Sequence, residues 1–343
     1  MITSTISTGQ PVAIHPEWEK WIAECLLSLT PDTTVVRLLV QNGFDEAIAI
    51  ERVSAAMSDP RMTAALAQSR RLVKLESLLE VQRSLASLSR DHGSIARRPT
   101  PGAAEFLENY YASNHPVVIT GMMDRWEAMQ KWTSQHLVEV CGNQIIEVMA
   151  DRESDADYEI NSERHRRKIR FADYVDMISA ADESNDIYLV ANNHFLDEPE
   201  ARALRDDLAP LPDFLDSNAM DSRVHFWYGP QGTVTPLHHD TMNILLAQIR
   251  GRKLITLIPP NATPLVYNKV GVYSSVNLEN PDRQAHPLFQ WAPQSSVMLR
   301  PAEALFIPVG WWHHVRALDA SISVSFNNFV YANDYETLWR HPE

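Results

Sequence analysis

Two stretches decide how this chain folds: Thr235-Pro236-Leu237-His238-His239-Asp240, entering one β-rich run, and Phe306-Ile307-Pro308-Val309-Gly310-Trp311-Trp312-His313-His314, spanning two later ones. On an extended strand, residues two apart share a face, so His238 and Asp240 point one way and His239 the other. A third donor must come from elsewhere. His313 can supply it if its strand lies across a barrel from His238, which puts two imidazoles and one carboxylate on one face of an octahedron. Singly the pieces say less. Thirteen histidines make chance His-x-Asp pairs ordinary, and Trp-Trp-His-His also reads as the edge of an aromatic core.

Outward from these stretches, short β-rich runs recur at regular spacing: Val224–Tyr228, Thr233–His238, Ile244–Ile249, Leu254–Ile258, Val297–Leu299, Ala304–Ile307, His313–Arg316 and Ile322–Phe329. Turn residues such as Gly229-Pro230-Gln231-Gly232 and Arg250-Gly251-Arg252 separate them, as a sandwich or barrel requires. Further upstream, Phe106–Tyr111 reads as an amphipathic helix and His115–Gly121 as a strand closed by a glycine turn. Before that the pattern is helical. From Pro16 to about Arg90, apolar residues return at helical spacing, and Thr30-Pro31-Asp32, Asn42-Gly43 and Asp59-Pro60 cut the stretch into about four helices. The polar, breaker-rich segment Arg90–Gly102 reads as a linker. The expected organisation is a helical module over 1–98 and a mainly β domain over 99–343, with its barrel core at about 222–331.

Bulk properties bound the function. A formal charge of −14 repels phosphate backbones, so nucleic acid is not an expected partner and a neutral or basic peptide suits better. Two cysteines, Cys25 and Cys141, are too few for a disulfide framework and are not spaced as a zinc pair. A cytoplasmic setting is expected. No cationic start with an apolar core and cleavage site opens the chain, and no long apolar run predicts a membrane partner.

An open 2-His-1-carboxylate set is the arrangement of non-haem Fe(II) oxygenases, where O₂ and a chelating co-substrate take the remaining positions. Three segments, Gly232–Asp240, Leu246–Lys253 and Ile307–Val315, together resemble the JmjC and cupin-like hydroxylases, with nearest patterns in the asparaginyl hydroxylase that inhibits hypoxia-inducible factor and the JmjC arginyl hydroxylase. The resemblance runs from about Asn109 to about Tyr331. It implies a double-stranded β-helix and an Fe(II)- and 2-oxoglutarate-dependent oxygenase consuming O₂. By the family pattern His238, Asp240 and His313 are the iron ligands. Lys253, fifteen positions after His238, meets the distal carboxylate of 2-oxoglutarate, supported by Thr235 and Tyr188. Asn327 matches a position near the metal. One departure stands out: where the family often carries asparagine, this chain has Ile244, with Asn243 beside it on the wrong face of a regular strand.

Hydroxylation of a peptide or protein side chain is favoured over lysine demethylation, because demethylases of chromatin more often carry glutamate where this chain has Asp240. A non-catalytic cupin-like binding module is the reading from another class. Trp227, Tyr228, Trp311 and Trp312 are candidates for the pocket wall or for ordinary core. The helical module is left with substrate recognition, homodimer formation or both. Arg164-His165-Arg166-Arg167-Lys168 is a basic run expected to border a substrate groove or to form a solvated loop.

Overall fold

In the computed structural model, residues 14–89, 92–190 and 194–339 are described, and the chain divides into two compact units, 1–85 and 86–343. The first unit is helical: α1 (Pro16–Leu27), α2 (Asp32–Gln41), α3 (Glu46–Ser58) and α4 (Pro60–Ala86). Its breaks follow local chemistry. Pro16 opens α1 at a position that needs no N–H, and the Asp45 carboxylate caps α3 by accepting from Ala47 N at 2.9 Å. Ile22, Leu26, Val35, Leu39, Ala49 and Val53, on the inward stripes of α1 to α3, close a small core of their own, with Met62 of α4 packed against it.

The second unit carries β1 (Arg97–Pro99), β2 (Val117–Thr120), β3 (Ile145–Met149) and β4 (Arg166–Arg170) before the region of regular strand spacing. Then come β5 (Val224–Gly229), β6 (Val234–His239), β7 (Ile244–Arg250), β8 (Lys253–Ile258), β9 (Asn268–Val270) and β10 (Tyr273–Ser274). The last four are β11 (Ser295–Leu299), β12 (Glu303–Ile307), β13 (Trp312–Ala317) and β14 (Ser321–Phe326). One sheet has the order β1-β2-β12-β7-β14-β5, the second β11-β8-β13-β6-β10-β9, and β3 and β4 form a two-stranded ribbon. From β5 to β8, and again from β11 to β14, successive strands alternate between the two large sheets. That winding is a double-stranded β-helix, a mainly β jelly roll with helices, as the sequence led us to expect.

Strand alternation sorts the side chains. On β7, Leu245, Ala247 and Ile249 pack outward with Phe106, Trp126, Trp132 and Phe171 from the flanking segments, whereas Leu246 points between the sheets with Ile255, Leu257, Val297 and Val315. The far end of β7 is closed by Gln248, whose Oε1 accepts from Ser323 Oγ at 2.8 Å. The near end stays open, and the site lies there.

Three expectations need correction. Residues 97–99 are not linker, since β1 pairs in parallel with β2, Arg97 opposite Val118; its three exposed residues, two arginines and a proline, carry no apolar alternation that could mark a strand. Arg90 and Asp91 lie outside the described residues. The helix over 106–111 is composite, α-helical at Ala103–Phe106 and π-helical at Leu107–Tyr111. The basic run is no free loop either: His165 is buried against Ala150 and Asp155, Arg166 pairs with Glu147 and Glu163, and Arg167 with Asp151, so the run serves the β3–β4 ribbon. None of residues 164–168 lines the cavity described next.

Candidate active site

His238 on β6 and His313 on β13 face each other in register across hydrogen-bonded neighbours, with ring centroids 4.1 Å apart. The two strands are adjacent in one sheet, not opposed across the barrel. Asp240, two residues on from His238, joins them: donor atoms of the three side chains lie within 4.8 Å of one another, and His313 Nε2 is 3.4 Å from Asp240 Oδ2. Each imidazole is fixed by its own strand entry. His238 Nδ1 lies 2.8 Å from the Pro236 carbonyl and His313 Nδ1 3.0 Å from that of Trp311. A carbonyl only accepts, so both protons sit on Nδ1 and both Nε2 lone pairs face the cluster.

Burial sets the protonation. It holds His313 well below the usual imidazole range, with His238 reinforcing the effect, and it raises the Asp240 carboxyl against the opposing pull of His238 and His239. Two imidazole Nε2 atoms and a half-buried carboxyl group converging within this span fit a divalent cation, with one face left to the cavity. His239 and His314 turn away. His239 is buried, with Trp312 and Trp339 at 4.7 and 4.4 Å, and His314 approaches Glu279 at 3.2 Å, its pKa pushed down to about 4 by burial.

A cavity of about 370 Å³ extends inward from this cluster. At its far side Lys253 opens β8 and is 2% exposed, and Nζ donates to Tyr188 Oη at 3.1 Å. No carboxylate within ion-pair distance of Nζ is found among the described residues, and burial alone lowers the ammonium to about 7. A buried cation so placed fits an anionic ligand. Tyr188 is itself held firmly. A methyl at Gly229 would come 2.6 Å from its ring, and Arg152 lies 5.3 Å from its centroid. Arg152 is fully buried and donates to Val234 O at 2.7 Å and to Asn185 Oδ1 at 3.0 Å, while Asn185 Oδ1 accepts from Val234 N at 2.8 Å. These bonds tie down the start of β6, where Thr235 also lines the cavity.

All seven residues singled out in the sequence line this cavity: His238, Asp240, His313, Lys253, Thr235, Tyr188 and Asn327. Ile244 lines it too, whereas Asn243 turns away to bond Asn333 and the Val309 amide. Of the four aromatics, only Trp227 reaches the cavity. Tyr228 and Trp312 are buried in other clusters, and Trp311 donates to Asn114. Sequence reasoning missed His225, which shares the inner face of β5 with Trp227. That period-two relation was available.

The Cupin-like domain profile matches residues 103–334, and the chain belongs to this family. Its relatives include proteins named as lysine-specific demethylases and as JmjC-domain proteins. Lysine-specific demethylase 8 of Xenopus tropicalis is 32% identical over 242 residues, covering 68% of this chain and 52% of that protein. Lysine-specific demethylase JMJ30 of Arabidopsis thaliana is 34% identical over 234 residues, covering 64% and 51%. Jumonji C domain-containing protein 5 of Drosophila melanogaster is 26% identical over 245 residues, covering 68% and 59%. The chain spans about half the length of the curated relatives it matches.

Proposed function

We propose that this protein is an Fe(II)- and 2-oxoglutarate-dependent oxygenase that hydroxylates a side chain of a peptide or protein. The observation that carries the reading is one cavity joining a three-donor cluster to a buried lysine that has no carboxylate partner among the described residues. His238, Asp240 and His313 would hold the metal, and Lys253, Tyr188 and Thr235 the distal carboxylate of the co-substrate. When bound, Fe(II) with 2-oxoglutarate and O₂ supplies the oxidation: the keto acid leaves as succinate and CO₂, and one oxygen atom enters a substrate C–H bond. The chain's own residues orient and exclude water. Trp227 and Leu246 line an apolar stretch between the two polar ends, and the Lys253 ammonium fixes the co-substrate by a charge-assisted bond.

Lysine demethylation is the second reading, favoured by the names of two of these relatives. Both readings share the site and part at the product. Incubating the protein with iron, 2-oxoglutarate and a panel of unmodified and methylated peptides, followed by mass spectrometry, separates them. Gain of one oxygen atom on an unmodified peptide supports hydroxylation. Loss of a methyl group with release of formaldehyde, and no stable oxygen gain on any peptide, would overturn it.

A further inference from the structure

The three donors of the cluster are not held alike. His238 and His313 stand inside paired strands, each with Nδ1 on a backbone carbonyl, whereas Asp240 lies one residue beyond the end of β6, in the turn that leads to β7. Among the described residues no hydrogen bond fixes its carboxylate. Its direction therefore depends on how the turn is anchored, and both ends of the turn are tied. At the start, Gly310 N donates to Asp240 O at 3.1 Å, which joins the turn to residues 308–311, the approach to β13 and His313. At the end stands Asn243, 1% exposed, whose Oδ1 accepts from Val309 N of the same approach at 2.9 Å. Asn333, in the segment after β14, meets the backbone of Asn243 as a neighbouring strand would. Its Oδ1 accepts from Asn243 N at 2.8 Å, and its Nδ2 donates to Asn243 O at 3.0 Å. The same Oδ1 accepts from Asn243 Nδ2 at 3.0 Å, and the same Nδ2 donates to Asn327 O at 3.0 Å. Because a peptide N–H only donates and a carbonyl only accepts, these bonds fix the orientation of both carboxamides.

Resting on the oxygenase reading, we propose that Asn243 and Asn333 are positioning residues: an amide clamp that holds the Asp240 turn against the approach to β13 and so sets where the carboxylate meets the two imidazoles. Neither side chain lines the cavity, so the pair acts through the turn and not on a ligand. The clamp also explains the one-residue shift at the start of β7. With Ile244 facing the cavity, the amide of Asn243 lies behind the turn, where it braces both loops that carry metal-side residues. A carboxylate on an unbraced turn samples many directions, and ordering it on metal binding costs conformational entropy that the clamp has already removed. The segment after the last barrel strand thereby shapes the metal site without touching it.

The test is a titration of the metal-free protein with Co(II), read by calorimetry and by the visible ligand-field spectrum of the bound ion, with thermal unfolding measured alongside. Asn333→Ala and Asn243→Ala should each weaken Co(II) binding about 10- to 100-fold, the range for residues that orient a metal ligand from behind, and should alter the spectrum. The double variant should be little worse than either single, because the two side chains act as a unit. Asn333→Asp, which keeps the acceptor for Asn243 N and loses both donated bonds, should fall between Asn333→Ala and the parent. Tyr331→Phe is the comparator: it removes the 2.6 Å bond from the same segment to Ala103 O, and should lower the unfolding temperature while keeping parental affinity and spectrum. Parental affinity and spectrum in a folded Asn333→Ala overturn the proposal, and so does equal weakening in Tyr331→Phe. If Asn333→Ala does not fold, Asn333→Asp and Asn243→Ala are read in its place; failure of all three to fold also overturns it, since the pair would then hold the fold and not the ligand. A parent protein that binds no Co(II) overturns the metal-site reading and the clamp with it, whereas a parent that binds and variants that match it leave that reading standing and remove the clamp alone.

Discussion

At residue scale, the histidine pairs separate. His238→Ala, Asp240→Ala and His313→Ala should each abolish retained iron and succinate formation, since two donors no longer define a facial set. His239→Ala and His314→Ala should keep both activities, with a loss of stability for His239→Ala, which stands between Trp312 and Trp339. Iron content and thermal unfolding of the five variants check this, and a swap within either pair would contradict it. Lys253→Met should leave iron in place and weaken 2-oxoglutarate binding by about 2–5 kcal/mol. The lysine also sets a pH signature. In the ligand-free fold its pKa is about 7, below the unfolded value, so the unfolded chain binds more protons above that pH and stability rises with pH through this window. A bound carboxylate favours the ammonium. Apparent 2-oxoglutarate affinity should therefore fall as pH rises above about 7, and the slope should vanish in Lys253→Met.

Elements explain why those side chains meet. Period-two alternation puts His238 and Asp240 on one face, and the β6–β13 register brings His313 opposite His238. Alternation could be read from the chain, whereas register is a tertiary fact. For that reason the sequence suggested a ligand from across the barrel and the structure shows one from the adjacent strand. The same limit hid β1, β9 and β10, which are two or three residues long and carry no pattern. Lys253 was legible because an ammonium opening an apolar strand asks for a partner. Arg152 was not. Its guanidinium is buried through bonds to Val234 and Asn185, tens of residues away in sequence. Gly229 yields an element-level prediction. Gly229→Ala would place a methyl 2.6 Å from the Tyr188 ring, and the rigid, fully packed ring has to move. Iron content should hold while 2-oxoglutarate affinity drops, and unchanged affinity in a calorimetric titration would show that Tyr188 does not shape the co-substrate end.

For the whole molecule, the two units each have their own core, and all the cavity residues belong to the second. A chain beginning at Ala86 is expected to fold and to keep iron-dependent succinate formation without added peptide; circular dichroism with the same succinate assay tests this, and a folded fragment without turnover would give the helical unit a part in the chemistry. The central claim is that this chain couples 2-oxoglutarate to O₂ through its own three-donor cluster. Isotopically labelled dioxygen tests it directly. With Fe(II), ascorbate and 2-oxoglutarate, the parent protein should release succinate carrying one labelled oxygen atom, and Asp240→Ala should release none. Unlabelled succinate, or equal labelling from the parent and Asp240→Ala, would contradict the account.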